Sequence, residues 1–264
     1  LAIIVFAFSA GGILIGFLAV VVCLIWIIAS KLPEIYIILA KLNYQNNTPK
    51  MFDLLEKAYQ TGRMKPEHRI YYGYMCMREG NLEMAEKMFN TVLSHKQQPD
   101  VLANAKTNYA VLLWKMGKID EAIQTIEEVY PEYKSTVVYG DYGYLLLEKG
   151  DLERALLINL EAREFNSTDD IISDNLGQNY YLLGEYEKSR DIYLEIMERA
   201  PKFPIPYYNY AKTLYALGEK EEASEKLKTA LEYPFSGVAA ITREEVESFL
   251  NLIENELNES VKKD

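Results

Sequence analysis

Five glycines set the frame of this chain. Gly80, Gly117, Gly150, Gly184 and Gly218 follow one another at intervals of 37, 33, 34 and 34 residues. Five residues after each stands a small residue: Ala85, Ala122, Ala155, Ser189 and Ala223. Seven residues before each stands another: Gly73, Ala110, Gly143, Gly177 and Ala211. Four residues beyond the second small position the side chain is large in Phe89, Ile126, Tyr193 and Leu227, with Asn159 as the exception. A recurrence of this length, with a glycine between two apolar-periodic segments, predicts repeated pairs of antiparallel helices. The small residues let the two helices of a pair approach closely. The glycine gives the tight turn its backbone freedom. The large residue fills the groove between neighbouring pairs. One pair cannot bury its apolar face alone, so pairs must stack. Residues 136–167 show the unit most plainly, as two amphipathic segments joined at Lys149-Gly150-Asp151.

The pattern resembles the tetratricopeptide repeat family. The resemblance rests on the paired small positions, the Gly-x-x-x-x-Ala turn, Pro201 or Asn166-Ser167 near the repeat end, and the period of about 34. The family's tryptophan is missing, and Tyr139 and Tyr207 stand in its slot in two copies. The resemblance covers residues 66–235. It implies a tetratricopeptide-like α-solenoid of five to six helix-turn-helix repeats with a C-terminal capping helix. With one transmembrane helix in front, read from the apolar run described below, the chain is expected to be all-α. Residues 1–30 are assigned to the membrane helix and 31–65 to a junction at Pro33 and a degenerate first repeat, in which Ala58 fits the second helix. Residues 66–235 hold five repeats, and 236–264 the capping helix and tail. Thr242 followed by Glu245 is a capping-box pattern that starts the last helix. The three extra residues between Gly80 and Gly117 are expected in a longer loop over residues 94–100.

Residues 1–30 carry no charged side chain, so all 28 basic and 39 acidic residues lie beyond them. An uncharged run of this length reads as a membrane span. A helix of 30 residues is roughly 45 Å long, against a hydrocarbon core of about 30 Å. A cleaved signal peptide would show a basic leading region and a shorter apolar core, and neither is seen. Trp26 suits an interfacial anchor, and Lys31, Lys41 and Lys50 after the span place the remainder of the chain in the cytoplasm. Gly12 and Gly16 form a GxxxG pair, open to reading as a dimerisation face or as ordinary membrane-helix glycines.

The net charge of −11 excludes nucleic acid as the main partner, because phosphate binding needs a basic stripe. Cys23 and Cys76 are too differently placed to suggest a disulfide framework. No phosphate-binding or catalytic motif is present. His68 and His95 lack neighbouring metal-ligand types, so no cofactor, metal or enzymatic activity is expected. Asn46, Asn166 and Asn258 head glycosylation sequons that matter only outside the cytoplasm.

The resemblance also points to a binding face. Two residues before the first small position stand Tyr71, Asn108, Asp141, Asn175 and Asn209. In the family this position faces a concave groove, where an amide can both donate to and accept from a peptide backbone. The other reading is that asparagine at this slot belongs to the family consensus and binds nothing. The same register puts Tyr74, Trp114, Tyr144, Tyr181, Tyr208 and Tyr215 on that side, while Tyr109, Tyr142 and Tyr210 read as packing residues. The family's carboxylate clamp is missing: Ile70, Tyr74, Asn108, Val137 and Asp141 occupy its slots, and only Asn108 matches. The implied function is a membrane-tethered interaction scaffold that binds a peptide or helix of another protein. The alternative is a structural subunit that forms a homo-oligomer through the membrane helix and the repeat surface.

Overall fold

The computed structural model describes residues 2–44, 46–235 and 240–261, and among them there are thirteen α-helices and no strand. The chain divides into two compact units, Leu1–Tyr72 and Gly73–Asp264.

The first unit holds α1 (Ala2–Asn43), α2 (Thr48–Gln60) and the beginning of α3 (Pro66–Arg78). Helix α1 does not stop at the expected junction: it runs through Pro33 for another ten residues. A proline inside a helix removes one backbone donor and crowds the preceding turn, and here the packing of the following segment outweighs that cost. Beyond Pro33, α1 buries Ile37 and Ala40, and α2, which packs against it, buries Met51, Leu54, Leu55 and Ala58. The break in α1 falls instead at Gly12, whose backbone lies at φ 73°, ψ −177°. Gly12 and Gly16 therefore do not share one continuous helical face. An 18-residue stretch of α1 within Gly12–Asn43 reaches a mean hydropathy of 3.0, and almost none of it is covered. Asn47 caps α2 by accepting from the Lys50 amide at 3.0 Å, and Lys65 pairs with Glu34 at 2.7 Å.

The second unit is an α-solenoid. After the end of α3 come α4 (Leu82–Leu93), α5 (Pro99–Lys115), α6 (Ile119–Glu127), α7 (Thr136–Lys149), α8 (Leu152–Phe165), α9 (Asp170–Leu182), α10 (Tyr186–Glu198), α11 (Ile205–Ala216), α12 (Lys220–Leu231) and α13 (Arg243–Val261). The turn glycines do what their spacing predicts. All five have φ between 78° and 85°, a region where a β-carbon clashes with its own backbone. The amide after each glycine donates back across the helix end, as in Asp151 to the Leu146 carbonyl (3.0 Å) and Glu219 to that of Leu214 (2.9 Å). This bond closes a Schellman motif. The second small positions, Ala85, Ala122, Ala155, Ser189 and Ala223, are fully buried.

The extra residues before Gly117 do not lengthen a loop. They lengthen α5, which has 17 residues where α7 has 14 and α9 has 13. Pro99 explains this, because its fixed φ suits the first helical turn, where its missing N–H costs nothing. Helix α13 begins with a reciprocal capping box. The Glu245 carboxylate accepts from the Thr242 amide at 2.6 Å, and the Glu245 amide donates to the Thr242 hydroxyl at 3.2 Å. It packs Phe249 edge-on against Tyr208 and Tyr215 and fully buries Val246 and Ile253.

Candidate peptide-binding cavity

The first helices of successive pairs, α5, α7, α9 and α11, lie side by side. Residues three and four apart on each point the same way, so their common face forms one wall, closed at one end by the start of α13. A cavity of about 380 Å³ opens there. Trp114 comes from α5, Asp141, Tyr144 and Glu148 from α7, Asp174 and Asn175 from α9, Tyr208, Asn209 and Lys212 from α11, and Glu245 from α13.

Six of the residues singled out in the sequence line this cavity: Trp114, Asp141, Tyr144, Asn175, Tyr208 and Asn209. Four do not. Asn108 donates to the carbonyl (2.9 Å) and side chain (2.8 Å) of Asn104 on its own helix. Tyr74 is half-buried near Asp141, and burial raises its hydroxyl pKa. Tyr181 packs at a tilt against Tyr186, with its ring 4.8 Å from the Lys212 ammonium. Tyr215 is covered by α13, with its hydroxyl donating to Glu256 at 3.0 Å.

The asparagine ladder is first of all a set of ties between repeats. Asn175 is buried and donates to the Gly140 carbonyl, one repeat back, at 2.7 Å. Asn209 is buried and donates to both oxygens of Asp174 at 3.1 and 3.2 Å. Asn159, in the slot that is apolar elsewhere, joins the same network. It donates to the Asn179 side chain at 3.2 Å, and Asn179 donates to the Leu152 carbonyl at 3.1 Å.

The aromatic wall is built by edge contact, with the Trp114 and Tyr144 rings 5.1 Å apart at 87°. The Trp114 indole donates to Glu148 at 3.2 Å. The electrostatics follow from burial. Desolvation pushes the Asp141 carboxyl up to about 7. It pushes Asp174 up to about 7 as well, outweighing the Asn209 hydrogen bond and the charge of Lys212. Burial, then the neighbouring Glu148, raises Tyr144. Burial lowers Lys212, against the pull of Asp174 and Glu148.

Glu148, Asp174, Lys212, Phe203 and Glu245 were not foreseen. The first three carried a usable signal: Glu148 lies one 34-residue step after Trp114, Asp174 one step before Tyr208, and Lys212 two steps after Tyr144. Phe203 and Glu245 lie outside the repeated helices, where no periodicity could reach them. Among the described residues no group of histidine, cysteine and carboxylate side chains is placed to hold a metal ion.

The tetratricopeptide repeat model matches the chain over residues 103–130, 173–203 and 206–235. Solved structures agree. A thermophilic tetratricopeptide-repeat protein of Thermus thermophilus superposes with a TM-score of 0.59 at 19% identity, covering 72% of this chain and 98% of its own. The pilF protein of Pseudomonas aeruginosa gives 0.58 at 17% identity over 83% and 98%. PilW, a type IV pilus biogenesis factor, gives 0.63 at 16% over 75% and 91%. At these identities the likeness is one of fold. No curated protein matches the chain. The chain carries tetratricopeptide repeats over those residues, and its fold is that of a protein-interaction scaffold.

Proposed function

We propose that this protein is a membrane-tethered scaffold that holds a peptide or helix of a partner protein in the cavity of its repeat unit. The observation that carries the reading is the cavity itself. It is concave, walled by Trp114, Tyr144 and Tyr208, and fringed by polar groups, which is the composition of a recognition site. Aromatic side chains give large contact area at small entropic cost. The tether is α1, which is long and apolar enough to span a bilayer. Lys31, Lys41 and Lys50 after its apolar part favour a cytoplasmic repeat unit. Confinement to a membrane surface raises the effective concentration of a co-localised partner.

A photoreactive amino acid in place of Tyr144, in cells, tests this reading. It should yield a discrete adduct with another protein, and the same probe at Leu157, an exposed position on α8, should not. Equal adducts from both positions, or none from Tyr144, would remove the cavity from consideration. An adduct only with a second copy of this chain would favour the self-assembling subunit instead. Alkaline extraction and protease accessibility of intact cells check the tether and its orientation.

A further inference from the structure

The cavity holds an imbalance of charge that the fold does not correct. Four carboxylates line it, Asp141, Glu148, Asp174 and Glu245, against the ammonium of Lys212. Three of the four are engaged. Asp174 accepts from Asn209, Glu148 accepts from Trp114, and Glu245 closes the cap of α13. Lys212 stands over the rings of Tyr181 and Tyr208, at 4.8 and 5.6 Å. Asp141 alone of the four accepts no hydrogen bond and pairs with no cation among the described residues.

Asp141 is partly buried, and a carboxylate partly withdrawn from water without a donor is unfavourable when ionised. Such groups persist where a ligand supplies the missing charge. Asp141 also has the right neighbours. Tyr144, one turn along α7, meets Trp114 edge-on, and Tyr208 lines the same cavity from α11. Aromatic faces accept both the alkyl stem and the cationic head of a basic side chain.

We propose that the cavity receives an arginine or lysine side chain of the bound partner segment, its head paired with Asp141 and its stem against Trp114, Tyr144 and Tyr208. This rests on the reading of the cavity as the binding groove. It gives the groove a charge preference opposite to that of a carboxylate-binding clamp. The occupant is a basic segment because Asp141, Glu148 and Glu245 would repel an acidic one and an apolar residue would leave Asp141 unpaired.

The test uses the full chain in detergent micelles, panned against random peptides. Binding is then read from Trp114 fluorescence in a Trp26→Phe background, since Trp26 and Trp114 are the two tryptophans. Selected peptides should be enriched in arginine and lysine. Replacing the critical basic residue by citrulline or norleucine should weaken binding about tenfold. Asp141→Asn should produce the same loss, with little further loss when both changes are combined. Peptides that bind the cavity, as judged by their loss on Tyr144→Leu, yet show no basic preference would overturn this proposal and leave the groove reading standing. Failure to select any peptide, or binding indifferent to Tyr144→Leu, would overturn both. Circular dichroism of each variant confirms that the helices persist.

Discussion

The ring of Tyr193 lies so close to Gly177 that a β-carbon there would stand 2.8 Å from Cζ. The same relation joins Gly73 to Phe89, where the β-carbon would lie 2.8 Å from Cε1. Where the first small residue is alanine, as in Ala110 and Ala211, the residue in the large slot is aliphatic, Ile126 and Leu227. Volume is thus exchanged across the helix pair: glycine faces an aromatic ring and alanine faces a branched chain. Gly143 faces the Asn159 carboxamide in the same way.

This relation predicts a change of sign. Gly177→Ala should destabilise the repeat unit by about 1–3 kcal/mol, the usual cost of overpacking a rigid neighbour. In a Tyr193→Leu background the same substitution should be neutral or stabilising by up to about 1 kcal/mol, because alanine is the better helix former and the ring is gone. Chemical denaturation of the four variants gives the coupling. Equal effects in the two backgrounds would show that the ring and the glycine do not compete for space.

The turn glycines respond to backbone conformation alone. A β-carbon on Gly150 meets nothing within 4 Å, yet its φ is 80°. Gly150→Ala should cost about 1 kcal/mol or slightly more. Gly150→Asn should cost less, since asparagine tolerates the left-handed region, and Gly150→Val should cost most. Thermal melts of this series would rank them in that order.

Asn209 is the donor that Asp174 depends on. Asn209→Leu should leave a buried carboxylate without that hydrogen bond, at a cost of about 1–3 kcal/mol. The loss should be larger at pH 8 than at pH 5, because Asp174, raised to about 7, is ionised only at the higher pH. A loss of the same size at both pH values would mean that packing, not the hydrogen bond, is what the substitution removes.

Asp141 makes a pH-dependent contribution of its own. Its carboxyl sits at about 7 in the folded protein, above roughly 3.9 in an unfolded chain. The folded state therefore binds the proton more tightly between those values, and stability falls as pH rises through this window. Asp141→Asn should stabilise the protein by about 1–3 kcal/mol at pH 8 and have little effect near pH 4. A difference independent of pH, measured by denaturation at both values, would show that the carboxyl is not held away from water.

Most of the fold was legible in the residue order because a helical hairpin is a local object. Gly150, Ala155 and Gly143 lie within a dozen residues of one another, and their spacing alone states that two helices turn sharply and touch. The capping box of Thr242 and Glu245 is local in the same sense. The candidate site was legible only in part. The register of the family resemblance placed Trp114, Asp141, Tyr144 and Tyr208 on one side, and the structure brings them to one cavity. That register says nothing of whether a side chain on that side is free. Asn175 and Asn209 are used by the preceding repeat, and Tyr215 is covered by α13.

By itself, then, the sequence determined the helical hairpins, their turns and their obligatory stacking, since each depends on contacts within about one repeat. Only the tertiary structure decided that α1 continues through Pro33 and that the extra residues extend α5, because those outcomes depend on what the neighbouring helix buries. It alone decided that Asp141 is left without a donor while Asp174 has one. That difference depends on residues a full repeat apart in the chain, and no local pattern records where their side chains come to rest.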